Sequence, residues 1–153
     1  MVTVFVFYDT KYGNTKLVAE TIMERLTEIQ GIETATRDIE EVDLEKKGGC
    51  DAILIGAPNQ MGGPSWTVRE FIDKLEKLDL KAKQVAVFDA CLGADFEKAV
   101  KKMEKRIAEK VPGLKLITSG LSIRVGGMKG PIVEGELHRC KEFAEKMAAQ
   151  ITT

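Results

Sequence analysis

Residues 2–22, VTVFVFYDTKYGNTKLVAETI, constrain the chain more than any other stretch. An apolar run from Val2 to Tyr8 breaks into Asp9-Thr10-Lys11-Tyr12-Gly13-Asn14-Thr15, and a helical pattern follows through Leu17, Val18, Ala19 and Ile22. A strand apolar nearly throughout suits the middle of a sheet covered on both faces. A strand that turns through small hydroxyl residues and glycine into a helix aims backbone N–H groups at one spot. That spot is also the positive end of a helix, so it attracts an anion, most often a phosphate. Thr10, Asn14 and Thr15 surround Gly13 with further donors. Each charge-assisted hydrogen bond contributes roughly 1.5–3 kcal/mol, and the helix dipole about 0.3–1 kcal/mol. Four or five such donors hold a dianion without an arginine, with Lys11 and Lys16 secondary. An ordinary capped turn is the competing reading. The loop lacks GxGxxG, which weakens a dinucleotide reading, and lacks GxxxxGK[ST], which excludes a nucleoside-triphosphatase loop.

The remaining chain repeats the strand–helix alternation. A first helix is expected from Asn14 to Gln30, with Val18, Ile22, Leu26 and Ile29 on one stripe and Gly31 as its stop. Ile32–Ile39 alternates and reads as an edge strand, and 40–49 as a surface connection with a short helical turn. Asp51–Ala57 reads as a buried strand, Pro58–Pro64 as a loop, and Pro64 as the first turn of a helix carrying Val68, Phe71, Ile72, Leu75 and Leu78. Lys83–Phe88 is the next buried strand and Asp89–Ala94 a loop. Phe96, Val100, Met103 and Ile107 mark a helix that ends before Pro112. Leu114–Ile117 and Leu121–Val125 form the last strand in two parts, 126–130 is a glycine-rich turn, and Leu137 to Ile151 line a final helix. Five strands alternating with four helices make βαβ units, hence an α/β chain with a doubly wound parallel sheet and helices on both faces. In such sheets ligands bind at the carboxyl ends of the strands. Loops 9–15, 58–64 and 89–95 converge there.

At 153 residues, 44% hydrophobic and 31% charged, the chain is expected to be one globular domain, 1–153. A net charge of −1 argues against nucleic-acid binding, and no stretch is long and apolar enough to span a membrane. No export signal is read at the start, and Cys50, Cys91 and Cys140 form neither a disulfide framework nor a CxxC motif. A cytoplasmic location is expected, and abundant Lys and Glu lean towards a thermophilic source.

The pattern Val6-Phe7-Tyr8-x-Thr10-x-x-Gly13-x-Thr15-x-x-x-Ala19-x-x-Ile22 resembles the flavodoxin phosphate-loop signature at every specified position. The element order and the run from Asp51 to Pro58 extend the resemblance along the chain. Without room for the long insertion in the last strand, the chain is similar to the short-chain type. YDTKYGNT at 8–15 and EGELHRCKEFAEKM at 134–147 also resemble the flavodoxin domain of A-type flavoproteins, and the di-iron chemistry of those proteins is not carried over. The resemblance implies a three-layer fold of strand order 2-1-3-4-5 and an FMN cofactor. The phosphate would sit on Thr10, Lys11, Tyr12, Gly13, Asn14 and Thr15. The isoalloxazine would lie between Pro58, Asn59, Gln60, Met61, Gly62 and Gly63 on one side and Asp89, Ala90, Cys91 and Gly93 on the other.

Flavodoxins commonly sandwich the ring with a Trp and a Tyr, and here those loops offer other side chains. Met61 is read either as a cover for one flavin face or as a gap filler. Trp66 either touches flavin or partner, or packs half-buried at its helix start. Phe96 is read as core ahead of a stacking role. Asp89 either caps the turn or helix that follows or sets the flavin potential by its charge, in which case Asp89→Asn raises the second one-electron potential. Cys91 has no neighbour in sequence that would activate it, and His138 falls on an outer helix face, so no metal site and no catalytic group is expected. The leading function is an FMN-binding carrier of single electrons between redox partner proteins, as a monomer or weak homodimer. An FMN-dependent reductase of a quinone or another small acceptor is the alternative, and a flavin-free interaction scaffold the third.

Overall fold

The computed structural model describes residues 1–39, 49–78 and 81–151. β1 (Val2–Tyr8) occupies the middle of the sheet, paired in parallel with β2 (Ile32–Asp38) on one side and β3 (Ala52–Gln60) on the other. β3 pairs in parallel with β5 (Gln84–Leu92), which carries β6 (Lys115–Leu116) and β7 (Leu121–Val125) one after the other on its far edge. The two-residue β4 (Gly63–Pro64) turns back antiparallel on the end of β3. The parallel order is therefore the one expected, with the fifth position shared by β6 and β7.

Alternation along β1 sorts its side chains. Val4, Val6 and Tyr8 face α1 (Asn14–Thr27) and α4 (Glu136–Ile151), where Val18, Ile22, Leu26, Phe143 and Met147 complete one core. Phe7, Ile53, Ile55, Val85 and Val87 face α2 (Trp66–Leu78) and α3 (Lys98–Lys110), where Phe71, Ile72, Leu75, Met103 and Ile107 complete the other. Three layers result, with a period-2 strand pattern matched to helical stripes on both sides. Gly56 belongs to the sheet for lack of a side chain: a Cβ there would lie 2.0 Å from the Phe88 ring.

Five expected boundaries move. α1 ends at Thr27, and Gly31 turns the chain four residues later, at φ +91°. Pro58–Gln60, read as loop, continues β3, because β4 supplies its hydrogen-bonding partner. Pro64 consequently lies in β4 and precedes α2 instead of opening it. β5 likewise runs four residues past Phe88 to Leu92, paired with both β3 and β7. Phe96 lies before α3, at the end of a single 3₁₀ turn over Gly93–Asp95. The connection expected over 40–49 lies, except for Gly49, outside the described residues.

Candidate functional site

The carboxyl ends of β1, β3, β5 and β7 open on one cavity of about 470 Å³, within the usual range for a small-molecule site. Its first wall is the turn from β1 into α1. Gly13 stands at the helix N-cap with φ 90°, and no side chain caps the helix. The first N–H groups of a helix have no intrahelical acceptor, so the start of α1 is a set of donors facing a cavity lined by Thr10, Asn14 and Thr15. Thr10 Oγ1 accepts the Gly13 N–H at 3.0 Å and fixes the turn. The Asn14 amide packs against Gly130, where a Cβ would come within 2.6 Å of its Oδ1. The glycine-rich turn after β7 is thereby held against the first loop, with Lys129 5–6 Å scale from the same aromatic ring that Lys11 approaches: the two ammonium groups stand 6.0 and 5.3 Å from the Tyr12 centroid.

The second wall is a hairpin. Met61 and Gly62 both have positive φ, 53° and 79°, the combination that closes a two-residue turn with the twist of its strands. Met61 is fully exposed at the tip. Asn59 Nδ2 donates to Asp95 Oδ2 at 2.8 Å, which ties this hairpin to the third wall, and Lys98 pairs with the other Asp95 oxygen at 3.2 Å. Lys98 and then Asn59 hold the Asp95 carboxyl below its ordinary range. Asn59 Oδ1 is left buried without a partner, the one such side-chain atom among the described residues. An orphaned buried acceptor is costly unless something entering the cavity donates to it.

The third wall is the end of β5. Ala90, Cys91 and Leu92 line the cavity, whereas the Asp89 carboxylate turns to the α3 side and is fully buried. Ser122 Oγ donates to Asp89 Oδ1 at 2.6 Å, and the Val100 N–H donates to Oδ2 at 3.2 Å. Val100 is the third residue of α3, so Asp89 caps that helix from a neighbouring strand while Glu97 occupies the N-cap position without a side-chain bond. Burial pushes the Asp89 carboxyl up to about 6, against the opposing pull of Ser122 and Val100. Cys91 Sγ lies 3.3 Å from Ser122 Oγ, and burial pushes its thiol up to about 11. Cys50 and Cys140 are raised in the same way, to about 11 and about 12. All three are free thiols kept protonated at neutral pH.

Of the residues singled out in the sequence, Thr10, Lys11, Tyr12, Asn14, Thr15, Pro58, Asn59, Gln60, Met61, Ala90 and Cys91 come together around this cavity. Gly13, Gly62, Gly63, Asp89 and Gly93 do not line it: Gly13 and Gly62 take positive φ in their turns, Gly63 lies in β4, Gly93 opens the 3₁₀ turn, and Asp89 belongs to the α3 side. Leu92 and Asp95, within the expected 89–95 loop but not singled out there as cofactor contacts, also line it, and Val125 and Met128, which lay outside the three expected loops, line it too. The carboxyl-edge rule, applied to the end of the last strand as well as the first three, would have pointed to Val125 and Met128. Trp66 is 72% exposed at the first residue of α2 and is not among the lining residues, so the half-buried packing role is not what the fold gives it. Phe96 is flanked by the Arg124 and Arg139 guanidinium groups, 5.7 and 5.6 Å from its centroid, in neither core nor cavity. His138 is exposed and pairs with Glu142.

The family model described as a flavodoxin domain matches residues 5–121, which span the first loop and both later walls of the cavity. This chain belongs to the flavodoxin family. A flavodoxin of Aquifex aeolicus is 36% identical over 70 residues, 46% of this chain and 38% of the relative, so the match spans well under half of that protein's length. Among solved structures, oxidised Flavodoxin 2 of Bacillus cereus is 29% identical, with a TM-score of 0.79 over 97% of this chain and 99% of that one. The rubredoxin:oxygen oxidoreductase of Desulfovibrio gigas shares the fold at 16% identity and TM-score 0.76, over 98% of this chain and 36% of that one. The flavodoxin fold thus covers this chain nearly end to end, and the same fold forms part of a larger solved protein.

Proposed function

We propose that this chain is a flavodoxin in function as well as in family: an FMN-binding carrier of single electrons between redox partner proteins. The observation that carries the reading is the uncapped start of α1, opening on a cavity at the carboxyl edge of the sheet. A phosphate there takes the donors that no side chain satisfies, with Thr10, Asn14 and Thr15 adding hydroxyl and amide groups and Lys11 a nearby charge. The hairpin at Asn59–Met61 and the end of β5 at Ala90–Leu92 form the two sides of a slot, and Asn59 Oδ1 offers an acceptor to a ribityl hydroxyl or a ring N–H. Bound FMN supplies one-electron chemistry, and the chain supplies anchoring, orientation and electrostatics.

The side chains around the cavity support a carrier. The Cys91 thiol is raised by burial, and the Asp89 carboxylate turns away from the cavity to Ser122 and the α3 N-terminus, which leaves neither placed to attack or deprotonate a substrate held there. The redox partners approach the exposed rim, where Tyr12, Met61, Leu92 and Met128 present apolar surface. Free, buried thiols fit a reducing cytoplasm. We expect the chain to act as one unit, monomeric or weakly dimeric.

Anaerobic redox titration of the FMN-reconstituted protein tests the reading. Stoichiometric uptake of FMN with quenched flavin fluorescence and two resolved one-electron steps is the expected result. A protein that takes up no FMN, or one that turns over NAD(P)H with a quinone, overturns it.

A further inference from the structure

A buried carboxylate, paired with no cation among the described residues, stands behind the cavity. Asp89 is fully buried, and its partners are neutral: Ser122 Oγ on β7, Cys91 Sγ on its own strand, and the Val100 and Ile123 backbone. Across the sheet its register neighbour on β3 is Ala57, and on β7 it is Ser122 itself. From α3 the first turn presents the Val100 N–H to it, and Glu97 gives its own N–H to Ser122 Oγ at 2.9 Å. Among the described residues no lysine or arginine pairs with it. The Arg124 guanidinium on β7, and that of Arg139, which donates to the Ser122 carbonyl, are engaged by Glu136. Cys91 belongs to both sets: it lines the cavity, and it shares Ser122 with Asp89.

We propose that Asp89 is the chain's internal proton acceptor for electron uptake, protonating when reduction adds negative charge to the cavity that Cys91 lines. This rests on the FMN reading above. The balance is simple. A one-electron donor, a redox partner protein or dithionite in the laboratory, delivers one electron to the bound flavin and is itself oxidised by one. The Asp89 carboxylate takes one proton from solvent, so the protein gains an electron and a proton together and its interior keeps its net charge. Two like charges separated by low-dielectric protein repel, and each raises the other's affinity for a neutralising proton. The coupling is reciprocal: what reduction does to proton binding, protonation does to the ease of reduction. Ser122 and Cys91 set the scale of the effect without carrying charge themselves.

Infrared difference spectroscopy on reduction of the FMN-loaded protein at pH 7 reads this directly. In the native protein, reduction is expected to bring up the C=O stretch of a protonated carboxylic acid. Asp89→Asn is expected to lose that band while retaining FMN. In parallel, the potential of the second electron in the native protein is expected to fall with pH at one proton per electron, in a window beginning near the pH at which Asp89 titrates in the oxidised form. Ser122→Ala, which removes the hydrogen bond to the carboxylate and leaves the acid in place, shifts the window to higher pH. An identical band in Asp89→Asn, or no carboxylic acid band in the native protein, overturns the proposal with FMN binding intact. Should Asp89→Asn fail to fold, an unshifted window in Ser122→Ala overturns it as well. A chain that binds no FMN overturns this proposal together with the function on which it rests.

Discussion

Two buried acids show how the same residue class takes opposite roles in one molecule. Glu136, at the start of α4, meets Arg124 and Arg139 at 2.7 and 2.6 Å. Burial alone would raise its carboxyl, but the hydrogen bonds of Arg124 and Arg139 outweigh that and hold it below the ordinary carboxylate value. As pH falls, the unfolded chain therefore takes up the proton first, so the stability Glu136 contributes is present above about pH 4.5 and is lost in acid. Glu136→Gln should destabilise the protein at pH 7 by about 1–3 kcal/mol, since two arginines lose a charged partner, and should flatten the acid limb of a urea-denaturation series. Among the described residues no cation pairs with Asp89, and its folded value lies above its ordinary one. Between 3.8 and about 6 the folded protein binds the proton and the unfolded chain does not, so stability falls as pH rises through that window. The whole effect is on the order of 3 kcal/mol. Asp89→Asn should remove this slope, checked by denaturation at pH 4, 5, 6 and 7. The cap was legible around Asp89 itself, since the helix that follows it supplies the Val100 N–H. Ser122, 33 positions from Asp89, was not, and of the two arginines on Glu136 only Arg139 is near it in sequence.

At the scale of elements, the start of α1 is the clearest case of a feature legible in advance. Strand, hydroxyl-and-glycine turn and helical stripe are all local, and the helix begins at Asn14 where the pattern put it. Thr10→Ala and Thr15→Ala should each weaken FMN binding, by roughly 10-fold if one charge-assisted hydrogen bond of about 1.5 kcal/mol is lost, read from quenching of flavin fluorescence. Thr15 is buried, so thermal melting of the apo variant separates lost binding from lost stability. The ends of β3 and β5 were not legible. Pro58-Asn59-Gln60 has little intrinsic preference for a strand, and becomes one because β4 folds back across a turn at Met61-Gly62. Asp89-Ala90-Cys91-Leu92 is held extended by β3 and β7, which lie far from it in sequence. Tertiary pairing decided both, where local propensity was silent. Gly56 is the inverse case. Its neighbours read correctly as strand, but its need to be glycine comes from the Phe88 ring above it, and Gly56→Ala should cost about 1–3 kcal/mol through overpacking, measurable as a lowered denaturation midpoint.

Over the whole molecule, one sheet and two cores place four strand ends around a single opening. Ion pairs lock helices on each face: Arg106 meets Asp73 at 2.6 Å between α3 and α2, and Arg25 meets Glu145 at 3.1 Å between α1 and α4. The alternation of elements made this layered plan readable, while the fourth contributor to the cavity, the turn carrying Met128, went unassigned because its glycines mark a turn without saying what it touches. Ligand that binds only the folded state raises the melting temperature. At 100 times the dissociation constant the gain is about 2.7 kcal/mol, or roughly 5–11 °C for a chain of this size. FMN should give such a shift in differential scanning fluorimetry, and riboflavin, lacking the phosphate, a much smaller one.

The continuation of β3 and β5 to the rim has a consequence for how fast and how reversibly the opening fills. Its sides are hydrogen-bonded ladder, and the Asn59–Asp95 bond already spans them. Little conformational freedom remains there for an incoming molecule to remove, so most of the entropy of shaping the slot is lost when the chain folds. Loading should then be limited by encounter and desolvation, with a rate that rises in proportion to ligand concentration and shows no plateau from a slow rearrangement.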